Sequence, residues 1–144
     1  MQEKAPDWKW LSACLRISGD EVDPDSVTKA LGLEPNFTGR KGQRVGGKSK
    51  SAVFESNLWG HIFSEEFHEP FDAQLSEFVG RLEKRGKQLR ALYDRKEVGA
   101  ELLLGFASSN GQGGFTLPAE LLARIAALGL DVSLDLYPPP PQAE

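Results

Sequence analysis

The sequence predicts an α+β domain: a four-stranded, mostly antiparallel sheet covered by helices on one face. Three observations predict it. Apolar residues alternate with period two in four segments. Three helical stretches with start and stop signals separate them. The order strand, helix, strand, helix, strand, helix, strand (β-α-β-α-β-α-β) then places a β-α-β unit at each end, close to a ferredoxin-like plan with an extra central helix.

Trp8 to Ser18 is the first strand, with Leu11, Ala13, Leu15 and Ile17 on one face and Trp10, Ser12, Cys14 and Arg16 on the other. Asp23-Pro24-Asp25-Ser26 then reads as an N-cap, a proline at the first helical position and an acidic first turn. Val27, Ala30 and Leu31 form a short apolar stripe that Gly32 ends. Residues 34–50 read as a loop rich in glycine and base, and alternation resumes over Ser51 to Trp59, with Val53, Glu55 and Asn57 opposite Phe54 and Leu58. A longer helix starts near Pro70 on the stripe Phe71, Leu75, Phe78, Val79 and Leu82, and its later part is basic. Val98, Ala100, Leu102, Leu104 and Phe106 define the strongest strand. A turn-prone loop, Ser108 to Gly114, leads to a helix carrying Leu121, Leu122, Ile125 and Leu128. The last strand is Leu130 to Tyr137, with Leu130, Val132, Leu134 and Leu136 expected to face inward.

A length of 144 residues suits one domain, expected over 1–137, followed by a loose proline-rich tail over 138–144. Hydrophobic residues at 40% and charged residues at 26% exclude a disordered or collagen-like chain. No apolar run approaches the roughly 18 residues a membrane helix needs, and the first seven residues lack an apolar signal core. The single cysteine, Cys14, excludes an internal disulfide and a multi-cysteine zinc site. A cytoplasmic protein without a cofactor is the expectation.

The net charge of −4 conceals a division. Residues 39–50 and 81–96 together hold twelve of the seventeen bases, leaving five bases against nineteen acids elsewhere. A molecule divided this way can present an acidic surface to one partner and a basic surface to another. The alternation assigns Trp10, Arg16, Glu55, Glu101, Asp131, Asp135 and Tyr137 to the outer sheet face. Four acids against one arginine make a poor platform for RNA and a suitable one for a basic protein, with Trp10 and Tyr137 as anchors.

Residues 42–49, Gly42 to Ser49, match G-x-x-x-x-G-K-[ST] letter for letter. A working phosphate loop follows a buried strand and opens a helix, and neither context is present, so the match reads as chance. His61, Glu65 and His68 would share one helical face and could hold zinc, but the residues around them read as packing, so no metal is expected. Arg40, Lys41, Arg44, Lys48 and Lys50 could track a phosphate backbone, although no aromatic residue lies among them to stack on bases.

Leu15-Arg16-Ile17-Ser18-Gly19-Asp20, Asp23 to Val27, Leu31-Gly32-Leu33-Glu34-Pro35, Arg40-Lys41-Gly42, Glu55-Ser56 and Leu134 to Tyr137 resemble the bacterial family known as domain of unknown function 4279. The resemblance spans roughly Trp10 to Pro138 and departs at Phe54, where the family pattern has tryptophan. It implies a small cytoplasmic α+β protein, supplies no catalytic residues, and hints at immunity proteins that neutralise toxins. The functional expectation is therefore a non-enzymatic protein-binding module, its partner a basic toxin met by the acidic face. The alternative is a nucleic-acid or anion binder using residues 39–50 and 81–96.

Overall fold

The computed structural model describes residues 7–47, 52–64, 70–93 and 97–137. The elements in chain order are β1 (Lys9–Gly19), α1 (Pro24–Leu31), β2 (Phe37–Gly39), β3 (Asn57–Ser64), α2 (Phe71–Glu83), α3 (Gly86–Tyr93), β4 (Gly99–Ser108), α4 (Ala119–Ala127) and β5 (Asp131–Leu136). One sheet of five strands runs β2-β3-β1-β4-β5. Three of its four pairings are antiparallel and β4–β5 is parallel. The proposed tail at 138–144 lies outside the described residues.

The sheet is mixed with helices as expected, but it has five strands where four were expected. The added strand, β2, is three residues long and pairs Phe37, Thr38 and Gly39 with Gly60, Trp59 and Leu58. Nothing so short shows a period, which is why 34–50 reads as loop. The ferredoxin-like plan is not confirmed. Beyond a four-stranded plan, α4 leads to β5, which joins β4 in parallel at the sheet edge.

Burial explains the layering. Leu11, Ala13, Leu15 and Ile17 are fully buried with Leu102 and Leu104 of β4, and all four helices add to the same cluster through Val27, Leu31, Leu75, Phe78, Leu82, Leu89, Leu121 and Ile125. The helices therefore cover one face and leave the other open. No helix among the described residues is long and apolar enough to cross a membrane.

Local chemistry sets the helix ends. Asp23 accepts from the Asp25 N–H at 3.3 Å and the Ser26 hydroxyl at 2.8 Å. Gly32 ends α1 at φ 65°, a left-handed conformation that costs glycine least, and its N–H donates to the Thr28 carbonyl. The long basic helix is in fact two. The apolar period continues from Leu82 to Leu89, so the sequence reads straight through the break. At the break Arg85 donates to the Leu31 carbonyl at 2.8 Å and to the Arg81 carbonyl at 2.9 Å, which ties the turn to the end of α1.

Two further expectations need correction. The strand expected at Ser51 to Trp59 begins only at Asn57: Val53 makes an isolated bridge with Arg44, and Glu55 and Ser56 form a bend. Leu134 and Leu136, expected inward, are 57% and 69% exposed. They do point to the helix side, opposite Leu104 and Phe106, but β5 is the edge strand and of its inward residues Val132 is the one packed against the core.

Candidate functional site

The open face is built row by row from strand register. Phe37, Gly60, Arg16, Glu101 and Asp131 form one row across the five strands. Ile62, Cys14, Leu103 and Ser133 form the next, followed by Ser12, Gly105 and Asp135. Trp10 and Tyr137 meet beyond these, ring centroids 5.7 Å apart and edge-on at 65°.

These rows enclose a groove of about 480 Å³ lined by Trp10, Cys14, Phe37, Ile62, Leu103 and Tyr137, with Ser12, Gly105 and Asp135. Its shape depends on two glycines. A Cβ at Gly60 would lie 2.0 Å from Cζ of Phe37, so the absence of a side chain lets that ring lie across β3. A Cβ at Gly105 would lie 2.6 Å from the Ser12 hydroxyl and 3.2 Å from the Tyr137 ring. Aromatic side chains thus lean over strand glycines at both ends of the groove, with Cys14, Ile62 and Leu103 between.

The electrostatics differ from the sequence expectation. Arg16 pairs with Glu101, which also accepts from the Ser133 hydroxyl, so Glu101 is neutralised within the sheet. Glu55, expected on this face, lies in the bend before β3. Asn57 does not present its amide there either; it braces the loop, accepting from the Lys41 N–H at 2.7 Å and donating to the Asp20 and Val22 carbonyls. What remains is an acidic margin on β5, where Asp131 and Asp135 pair with no base among the described residues. Hydrogen bonding to Asp135 raises the Tyr137 hydroxyl above its ordinary range, with burial and the carboxylate charge adding to the shift. Burial pushes the Cys14 thiol up to about 11, so it is a neutral thiol in the groove floor.

The basic loop is turned inward on the molecule. Arg40 reaches Asp23 at 3.2 Å and Asp25 at 3.6 Å, and Lys41 reaches Asp20 at 3.0 Å. Lys48 and Lys50 lie outside the described residues, and Arg44 sits in the bridge to Val53. The N–H groups of Gly42, Gln43 and Val45 donate to the carbonyls of Phe54, Arg40 and Ala52. Those amides are therefore engaged in a hairpin-like loop instead of a phosphate cradle. Among the described residues, one base of each basic segment is tied to α1, at opposite ends. Arg85 sits at the C-terminal end of α1 and Arg40 at its N-terminal end, roughly 12 Å apart at 1.5 Å per helical residue.

His61 lies on β3, with Nδ1–H donating to the Glu34 carbonyl at 2.7 Å and the ring stacked near Trp59. The helical spacing imagined for His61, Glu65 and His68 does not apply at His61, and the other two lie outside the described residues. No group of three metal-ligating side chains occurs among the described residues. Trp59 is fully buried and donates to the Thr28 hydroxyl at 3.0 Å, so it is a core residue.

Sequence reasoning placed Trp10, Arg16, Glu101, Asp131, Asp135 and Tyr137 correctly on the open face. It missed Phe37, Ile62 and the two glycines. The available signal was Gly105 inside the pattern of the strongest strand, since a strand glycine marks close approach of another group; Gly60 falls one residue past the strand expected at Ser51 to Trp59.

A family model described as domain of unknown function DUF4279 matches residues 8–139, nearly the whole chain. No curated protein and no solved structure matches it.

Proposed function

We propose that this chain, which belongs to the DUF4279 family, is a non-enzymatic protein-binding module that engages a basic protein through its open sheet face. The observation that carries the reading is the groove itself: aromatic walls at both ends, an apolar floor, and Asp135 beside Tyr137 on the acidic β5 margin. An arginine or lysine side chain suits such a place. Its stem packs on Leu103 and the aromatic rings while its cation meets Asp135, and a cation over an aromatic face adds about 0.5–1 kcal/mol where exposed. In the immunity form of this reading the partner is a basic toxin, steered in by the β5 acids. The basic loop supports the nucleic-acid alternative less well, because Arg40 and Lys41 already pair with Asp23, Asp25 and Asp20.

The test is a paired capture from nuclease-treated host lysate across a salt series, with the wild-type chain and a Trp10→Ala/Asp135→Asn variant as baits. The reading expects a basic protein that the wild type retains and the variant loses, with retention falling as salt rises. Equal retention by both baits, or a protein captured only from a parallel lysate without nuclease, overturns it. For the captured partner, Asp131→Lys/Asp135→Lys is expected to slow association and flatten its salt dependence.

A further inference from the structure

The outer edge of β5 is a second feature of the same surface, and it has a distinct chemistry. The Tyr137 N–H donates to the Phe106 carbonyl at 2.9 Å, which fixes the alternation: Asp131, Ser133 and Asp135 turn their main-chain groups toward β4. Val132, Leu134 and Leu136 turn theirs outward, where no described strand pairs with them. Edge strands of soluble proteins are commonly protected by charged side chains, by proline or by a bulge. The strand Asp-Val-Ser-Leu-Asp-Leu contains no proline and pairs with β4 in unbroken register, so its protection is its two aspartates, which repel an anionic neighbour and not a cationic one.

Its two faces differ in kind. Leu134 and Leu136 are exposed on the helix side, while Asp131 and Asp135 line the open side. A second copy of the chain is a poor occupant. Laid along this edge it would gather four carboxylates on one face of the seam, with no base in either β5 to offset them. A complementary occupant carries bases opposite the aspartates and apolar side chains opposite the leucines.

We infer that β5 accepts an added strand from the protein partner, an extended segment of alternating basic and apolar residues that continues the sheet beyond Asp131–Leu136. Main-chain hydrogen bonds to Val132, Leu134 and Leu136 supply affinity, and the alternation supplies specificity. The added strand would lie beside Asp135 and Tyr137, so a residue flanking it reaches the groove. This rests on the binding reading above and specifies the partner's conformation.

The probe is an eight-residue peptide of alternating valine and lysine, titrated into the full chain while amide exchange and chemical shifts are followed by NMR. Two controls have the same length: four valines followed by four lysines, and alternating valine and glutamate. The expected result is slowing of exchange by about tenfold or more at Val132, Leu134 and Leu136, with either control binding about tenfold more weakly, since cross-strand charge pairs are individually small. If groove resonances such as the Trp10 indole shift while those three amides stay unprotected, or the block peptide binds equally, the added strand is overturned and the groove reading stands. If no resonance moves with any peptide, both fall.

Discussion

The two faces of β1 are made from alternate residues of one strand, yet they obey different rules. On the helix side Leu11, Ala13, Leu15 and Ile17 are fully buried, and their identity follows from one demand, removal of apolar area from water. On the open side Trp10, Ser12, Cys14 and Arg16 have little in common chemically. Each is explained by a particular neighbour: Tyr137 for Trp10, Gly105 for Ser12, burial for Cys14, Glu101 for Arg16. The first face is a repeating pattern and the second is a set of appointments between strands. The first specifies the fold, and the second offers a surface.

That contrast can be broken most forcefully on the helix side. Leu15→Ala is expected to cost about 2–5 kcal/mol in denaturant unfolding, because a fully buried leucine leaves a cavity. A cost below about 1 kcal/mol would mean that the helix layer is looser than its burial implies.

The open side is sharpened by Cys14. With its thiol at about 11, alkylation by iodoacetamide near pH 8 is expected to run about a hundredfold more slowly than for a free thiol, rising about tenfold per pH unit. The same shift acts on stability. Because the folded value lies above the unfolded one of 9.0, the thiol's contribution is fully present below pH 9.0 and is lost as pH rises through about 11. The expected loss is of the order of 2 kcal/mol, and Cys14→Ser removes it from the alkaline limb of the stability curve. A fast-reacting thiol at neutral pH would contradict the closed floor.

A smaller effect tests the glycine craters. Gly60→Ala is expected to cost about 1 kcal/mol, because the Phe37 ring must swing aside, and its half-exposed position allows that. In a Phe37→Ala background the cost should vanish, so a double-mutant cycle reads the coupling directly.

The smallest effects belong to the clasp around α1. Asp23→Ala removes the N-cap and is expected to lower the unfolding midpoint slightly in a denaturant titration. Arg40→Ala removes only exposed ion pairs, for about 0.5 kcal/mol or less. Asp23 titrates low, chiefly through the Ser26 hydroxyl bond and then Arg40, so the cap's contribution is present above pH 3.8 and fades as pH falls below it.

The same contrast explains how far the sequence could be read. Alternation in β1 and β4, the Asp23-Pro24 start and the Gly32 stop are local signals, and the structure carries all of them. β2 was illegible because three residues have no period, and the break at Arg85 because the apolar stripe runs through it. Leu134 and Leu136 misled because alternation assigns a face without saying whether anything covers it. At the site, alternation correctly assigned Trp10, Arg16, Glu101, Asp131, Asp135 and Tyr137. It could not assign Phe37 over Gly60, because that contact depends on a register between strands some twenty residues apart in sequence. Nor could it foresee that Arg16 and Ser133 neutralise Glu101, which narrows an acidic face to an acidic margin.

In the proposed function the open face, and not the helix side, meets a basic protein. A photo-crosslinking residue placed at Ser133 on the open face, and separately at Leu122 on α4, tests this in the native host. The expected result is one discrete adduct with a basic protein from position 133 and none from position 122. Adducts from 122 alone, equal yields from both, or adducts only to nucleic acid would contradict it.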